Sequence, residues 1–135
     1  PRGQVFWVAS VDLETGKRIY RRVEQNDWSV HFNVSPDGKL FAGDGGDGDM
    51  VAHAPDGKWI VLLRPEPIVD EDPSSDKEEL IDVEYLRSER LVDLSNHDYR
   101  LEPNLTFTPD GKWIVFVSNM HGPNHVYAVE VARTT

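Results

Sequence analysis

The chain has 135 residues, the length of one ordinary domain, and its 39% hydrophobic content with four Trp is enough apolar material for a core. A formal charge of −10, from 14 Lys and Arg against 24 Asp and Glu, argues against nucleic acid as a partner, because phosphate binding needs a basic stripe. The absence of cysteine excludes disulfides, zinc-thiolate sites and thiol catalysis together, and no stretch approaches the roughly 20 apolar residues needed to span a bilayer.

The sequence opens Pro1-Arg2-Gly3, with neither an initiator Met nor a charged-then-apolar leader, and so reads as continuing from a longer polypeptide. Val5 to Val11 is a strand, and Thr15-Gly16-Lys17 turns it into Arg18 to Val23. Alternation puts Ile19 and Arg21 on one face of that second strand and Arg18, Tyr20 and Arg22 on the other, as in an outer, solvated strand. Ser29 to Val34 and Leu40 to Asp44 follow as two inner strands, Lys58 to Leu63 as a third and Glu89 to Leu94 as a fourth. The order then repeats with Asn104 to Phe107, Trp113 to Val117 and His125 to Val131. Trp113 to Val117 is apolar on both faces, as expected of a strand sandwiched between neighbouring sheets.

Three copies of a Pro-Asp-Gly-Lys turn punctuate these strands, at Pro36 to Lys39, Pro55 to Lys58 and Pro109 to Lys112. Pro presets φ for the first corner, Asp bonds its own backbone and Gly takes the left-handed position, so each copy is expected to mark a hairpin. Repeated turns between short strands predict an all-β fold of β-propeller blades. The expected layout is outer strands of one blade over residues 1–28, a full blade over 29–95 with an acidic insertion at 66–84, and a last blade over 96–135. Such a partial ring has open edges, which remaining blades or self-association would cover; a small sandwich is the alternative. The insertion, with Asp70-Glu71-Asp72-Pro73-Ser74-Ser75-Asp76-Lys77-Glu78-Glu79, is a solvated loop or else a lid whose charge would repel an anionic substrate.

No nucleophile elbow, P-loop or dinucleotide fingerprint is present, which leaves the five histidines. His31 lies in an inner strand, and His97, Asp98, Arg100, Glu102 and Asn104 cluster just ahead of the inner strand of the following blade. Inner strands converge on a propeller axis, so His31, Glu102 and Asn104 can face one another as a nitrogen-and-oxygen set suited to Mn²⁺ or a similar divalent ion. Equally, a strand histidine can be a hydrogen-bonded structural residue, and Asn104 can simply tie off a loop. His53, His121 and His125 carry weaker signals, and His121-Gly122-Pro123-Asn124 reads as a hairpin loop. Asp44-Gly45-Gly46-Asp47-Gly48-Asp49 lacks the calcium-loop register with its distal Glu; it reads as a flexible strand exit or as funnel-facing acid.

The run from Val30 to Asp47, with its His31 strand followed by Gly43-Asp44-Gly45, together with Leu101 to Phe116, resembles the C-terminal third of the oligogalacturonate lyases, polysaccharide lyase family 22. The resemblance covers most of the chain and implies a seven-bladed, TolB-like propeller that performs β-elimination on short galacturonate oligosaccharides, with a Mn²⁺-like ion in the funnel. It implies a cytoplasmic or periplasmic location in a bacterium, a choice the sequence leaves open. It makes His31 a metal ligand and aligns the family's other ligand positions with Tyr99, Glu102 and Asn104, so that only His31 is retained as the family has it. The family's proton-abstracting His belongs one blade upstream of His31, outside this sequence, so the chain alone is expected to be an incomplete catalyst. Arg100 and Arg64 are the candidates for holding substrate carboxylates, which a guanidinium pairs with bidentately.

Overall fold

A computed structural model describes residues 5–68 and 81–131. The described chain is all-β, with propeller-like blades formed by nine strands in two sheets. The strands are β1 (Phe6–Val11), β2 (Arg18–Val23), β3 (Phe32–Val34), β4 (Phe41–Gly43), β5 (Trp59–Pro67), β6 (Ile81–Asp93), β7 (Thr106–Phe107), β8 (Trp113–Ser118) and β9 (His125–Glu130). β3 to β6 form a four-stranded antiparallel meander, the unit of one blade, and β7 to β9 form three strands of the next.

Two of the three Pro-Asp-Gly copies are hairpins of nearly identical build. Between β3 and β4, Gly38 sits at φ +75°, Asp37 accepts from the Ser35 hydroxyl at 2.6 Å and the Lys39 N–H at 3.0 Å, and the Ser35 N–H closes onto the Leu40 carbonyl. Between β7 and β8, Gly111 sits at φ +72°, and Asp110 accepts from the Thr108 hydroxyl at 2.7 Å and the Lys112 N–H at 2.9 Å. The middle copy departs from expectation. It lies inside the long connection from β4 to β5, Gly57 is not among the positive-φ glycines, and Asp56 instead accepts the Trp59 indole N–H at 2.9 Å. A Trp ring three residues on, stacked under Arg90 at 4.7 Å, competes for the Asp that would otherwise cap its own turn.

Residues 1–28 and 29–95 were expected in separate blades, but β2 pairs in parallel with β6, so β1 and β2 extend the sheet to the order β1-β2-β6-β5-β4-β3. β2 is therefore not a solvated outer strand. Arg21 and Val23 are buried; the Arg21 guanidinium donates to Glu84 and to the Ser10 hydroxyl, each at 3.0 Å, and lies 4.7 Å from the Phe41 ring. An aligned acid, hydroxyl and ring make a buried guanidinium tolerable, which alternation alone does not reveal. The predicted 66–84 loop is also shorter than expected. Glu66 and Pro67 belong to β5 and pair with Tyr85 and Glu84 of β6. The period-2 pattern of Ile81-Asp82-Val83-Glu84-Tyr85-Leu86 was hidden by its acids. The acidic run Asp70 to Glu79 lies outside the described residues.

The core falls on both faces of β5 rather than of β8. Ile60 and Leu62 pack with Ala42, Leu94, Tyr99, Leu105, Phe107, Ile114 and Phe116 between the two sheets. Val61 and Leu63 pack on the opposite face with Val23 and Leu86. Burying each such aliphatic side chain contributes roughly 1.5–3 kcal/mol. In β8 only Ile114, Phe116 and Ser118 are buried, while Trp113 is exposed. The inter-sheet cluster fixes β3 beside β7, where the Phe107 N–H donates to the Asn33 side chain at 3.2 Å.

Candidate functional site

The β3–β4 hairpin positions the first half of the site. Its register pairs Phe32 with Gly43, and one step further the Asp44 N–H reaches the His31 carbonyl at 3.3 Å, so His31 and Asp44 face each other across the two arms of the hairpin. The Asp44 side chain is fully buried. Its Oδ1 accepts the His31 N–H at 2.8 Å and its Oδ2 lies 2.8 Å from His31 Nδ1, and the Asn104 backbone N–H lies near enough to favour the ionised carboxylate. Burial pushes the Asp44 carboxyl up from its ordinary range, against the His31 and Asn104 hydrogen bonds that favour its ionised form.

The loop between β6 and β7 supplies the second half. Glu102, half exposed, brings Oε2 to 3.5 Å from His31 Nε2. Asn104 follows at φ +49°, a left-handed conformation that Asn tolerates, and it turns its backbone N–H onto Asp44. Tyr99 is buried and donates its hydroxyl to the Asp44 carbonyl at 2.8 Å, crossing from one sheet's loop to the other. Burial, then the charges of Asp44 and Asp47, push its phenol far up, so it acts as a fixed donor and not as an anionic ligand. His31, Glu102 and Asn104, expected to converge, are thus brought together, His31 and Glu102 by side chains and Asn104 by its backbone.

His97, the nearest alternative ligand, is consumed by the fold. It is buried, with Nε2 at 2.6 Å from the Leu101 carbonyl and Nδ1 at 2.7 Å from the Ser118 hydroxyl. A carbonyl only accepts, so Nε2 carries the hydrogen and Nδ1 accepts from Ser118. Asp98 and Arg100 hold each other: Arg100 Nε donates to both Asp98 oxygens, at 2.9 and 3.2 Å, and Asp98 is pulled down to about 2 by these bonds. The carboxylate-binding fork of Arg100 is already engaged, though its side chain is 92% exposed. Arg64 stands on β5, 3.8 Å from Glu89 of β6. His53 contacts the Gly48 carbonyl, and His121 and His125 lie against the Tyr127 ring.

The acid-glycine run is packed at its start, not a flexible exit. Gly45 sits at φ +72°, and a Cβ there would come within 2.4 Å of the Gly57 carbonyl oxygen, so only glycine lets the chain turn away from Asp44 at this point. Sequence reasoning missed the role of Asp44. The signal was available: a hairpin centred on Pro36-Asp37-Gly38-Lys39 sets residue 44 opposite residue 31. A separate cleft of about 290 Å³, lined by Asp47, Asp56, Lys58, Trp59 and Asp93 among others, includes none of His31, Glu102 and Asn104.

Among the described residues no group of three or more His, Asp and Glu side chains is arranged to hold a metal ion. His31 and Glu102 offer one nitrogen and one oxygen, and the Asn104 amide is the next oxygen in sequence. No protein-family model, curated protein or solved structure matches the chain.

Proposed function

We propose that the chain is part of an oligogalacturonate-lyase-like enzyme that acts on short uronate oligosaccharides by metal-assisted β-elimination. One observation carries this: the imidazole of His31 and the carboxylate of Glu102, 71 residues apart in sequence, meet at 3.5 Å on adjoining blades, with Asp44 bracing the ring from the buried side. An imidazole nitrogen facing a carboxylate at that distance is a mixed nitrogen-oxygen donor pair, which suits a divalent ion of the Mn²⁺ kind. His31 and Glu102 would hold it, with Asn104 as a third donor. Bound there, such an ion would offset the charge of the uronate carboxylate and so make the adjacent C5 proton more acidic.

The chain's own contribution is to fix the His31 ring through the buried Asp44 while its other nitrogen faces Glu102. Removal of the C5 proton needs a base on the opposite side of the sugar, and expulsion of the O4 substituent leaves a 4,5-unsaturated uronate. Arg100 and Arg64 are the proposed carboxylate partners, each by exchanging its present acid for the substrate's. The sugar site and the remaining blades together form the proposed partner set.

Absorbance near the enal band is the test, in the full-length protein incubated with unsaturated digalacturonate and Mn²⁺. A growing signal that His31→Ala abolishes is the expected result; a flat trace in the parent protein overturns the lyase assignment. Non-catalytic binding of a protein or glycan by a TolB-like propeller is the second reading. It is favoured by Tyr99, which stands at a family ligand position yet is buried with its hydroxyl given to Asp44. Mn²⁺ titration separates the two, since a pure binding module has no metal affinity to lose on His31→Ala.

A further inference from the structure

We propose that Asp44 is a positioning residue that locks His31 in the Nδ1–H tautomer and so aims the Nε2 lone pair at the space shared with Glu102. This rests on the metal-site assignment above for its purpose, but not for its geometry. Two groups of His31 converge on the Asp44 carboxylate: its backbone N–H on Oδ1 and its ring Nδ1 on Oδ2, each at 2.8 Å. The ionised carboxylate has no hydrogen to give, so the ring nitrogen 2.8 Å away must be the donor. The other ring nitrogen then carries the lone pair, and it faces Glu102 Oε2 at 3.5 Å. Two acceptors facing each other at that distance repel unless a cation lies between them, which is the state a ligating pair needs.

The same geometry dictates what an isosteric change does. In Asp44→Asn the amide oxygen has to face the fixed backbone N–H of His31, because a backbone N–H cannot accept. The amide NH₂ then meets Nδ1 and donates to it, forcing the hydrogen to Nε2 and blocking the lone pair that faces Glu102.

Ring ¹⁵N chemical shifts of the whole chain test this above about pH 8.5, where an ordinary imidazole is neutral. In the parent protein His31 should show a pyrrole-type Nδ1 and a pyridine-type Nε2. His97, whose Nε2–H goes to the Leu101 carbonyl, should show the reverse in the same spectrum and serves as an internal reference. Asp44→Asn should invert His31 alone and weaken Mn²⁺ binding about 10- to 100-fold, the usual range for loss of an outer-shell partner. A parent His31 with its hydrogen on Nε2 overturns the proposal without any variant, so a failure of Asp44→Asn to fold does not protect it. An inverted variant with unchanged Mn²⁺ affinity also overturns the positioning role. A parent protein that shows the Nδ1–H tautomer but binds no Mn²⁺ refutes the metal assignment while upholding the orientation by Asp44.

Discussion

His31 and His97 lie on either side of the Asp44–Tyr99 hydrogen bond that joins the two sheets, yet their surroundings differ in one respect that decides what each can do. His97 has a structural partner on both ring nitrogens and is almost wholly buried, with its ring set edge-on to Tyr99 at 4.7 Å. His31 has a buried partner on one nitrogen only; its side chain is 39% exposed and its other nitrogen faces a half-exposed carboxylate. A histidine saturated by its fold is cement, whereas one braced from behind and open in front is a tool. Nothing in residue type distinguishes the two.

The strongest way to break this comparison is to remove each ring. His97→Ala leaves the Leu101 carbonyl without its donor and the Ser118 hydroxyl, which still accepts the Met120 N–H, without its acceptor, and opens a hole beside Tyr99, so a loss of about 3 kcal/mol is expected in urea denaturation. Mn²⁺ binding by the folded fraction should survive. His31→Ala should cost only about 1 kcal/mol, because water can enter the exposed side and donate to Asp44 in place of the ring. Its Mn²⁺ affinity should vanish. Equal stability losses for the two variants would erase the distinction drawn between them.

The next effect concerns how the β3–β4 hairpin sets His31 against Asp44. Gly38→Ala forces a Cβ into the left-handed region at φ +75°, where nothing crowds it, so the expected cost is conformational strain of about 1–2 kcal/mol. Gly111→Ala in the matching hairpin carries the same strain at φ +72°. Stability should fall alike in both, but only the Gly38 change should disturb the His31 ring resonances, because only that hairpin fixes its register. Resonance shifts of similar size in the two variants would show that the hairpin does not control the site.

How much of this was legible in the sequence follows from which forces are local. The two hairpins were, because Pro, Asp and Gly each impose a backbone preference within four residues, and Ser35 and Thr108 fill the same slot. The strands β3, β4, β5 and β7 to β9 followed from the apolar runs between those turns. The parallel pairing of β2 with β6 was not legible, since it joins residues more than sixty apart and depends on Arg21 finding Glu84, Ser10 and Phe41. Nor was the role of Pro55-Asp56-Gly57, where Trp59 and Arg90 redirect the aspartate. Within the site, the approach of His31 to Glu102 was expected from converging inner strands, while Asp44 was masked by the glycines around it, whose usual meaning is looseness. Here they permit close packing instead.

The smallest expected effect lies at Asp98, the residue after His97, and tests whether the loop carrying Glu102 is held by charge. Arg100 and its own N–H hold the Asp98 carboxylate in the ionised form and lower its pKa to about 2. A group whose folded pKa is depressed favours the fold above its unfolded value near 3.8, and that contribution fades as pH falls through the folded value. Between about pH 4 and pH 2 the loop therefore loses this tie last, after exposed carboxylates with ordinary values have been protonated. The Asp98 side-chain carboxyl resonance should titrate near pH 2, and Arg100→Gln should move it upward toward the ordinary range. The fully exposed setting of the pair predicts almost no change in overall stability from that substitution, and high salt should weaken the shift. If Arg100→Gln also altered the His31 ring shifts, the loop would be shown to transmit strain from Asp98 to Glu102, and the separation between the structural and functional halves of the joint would have to be redrawn.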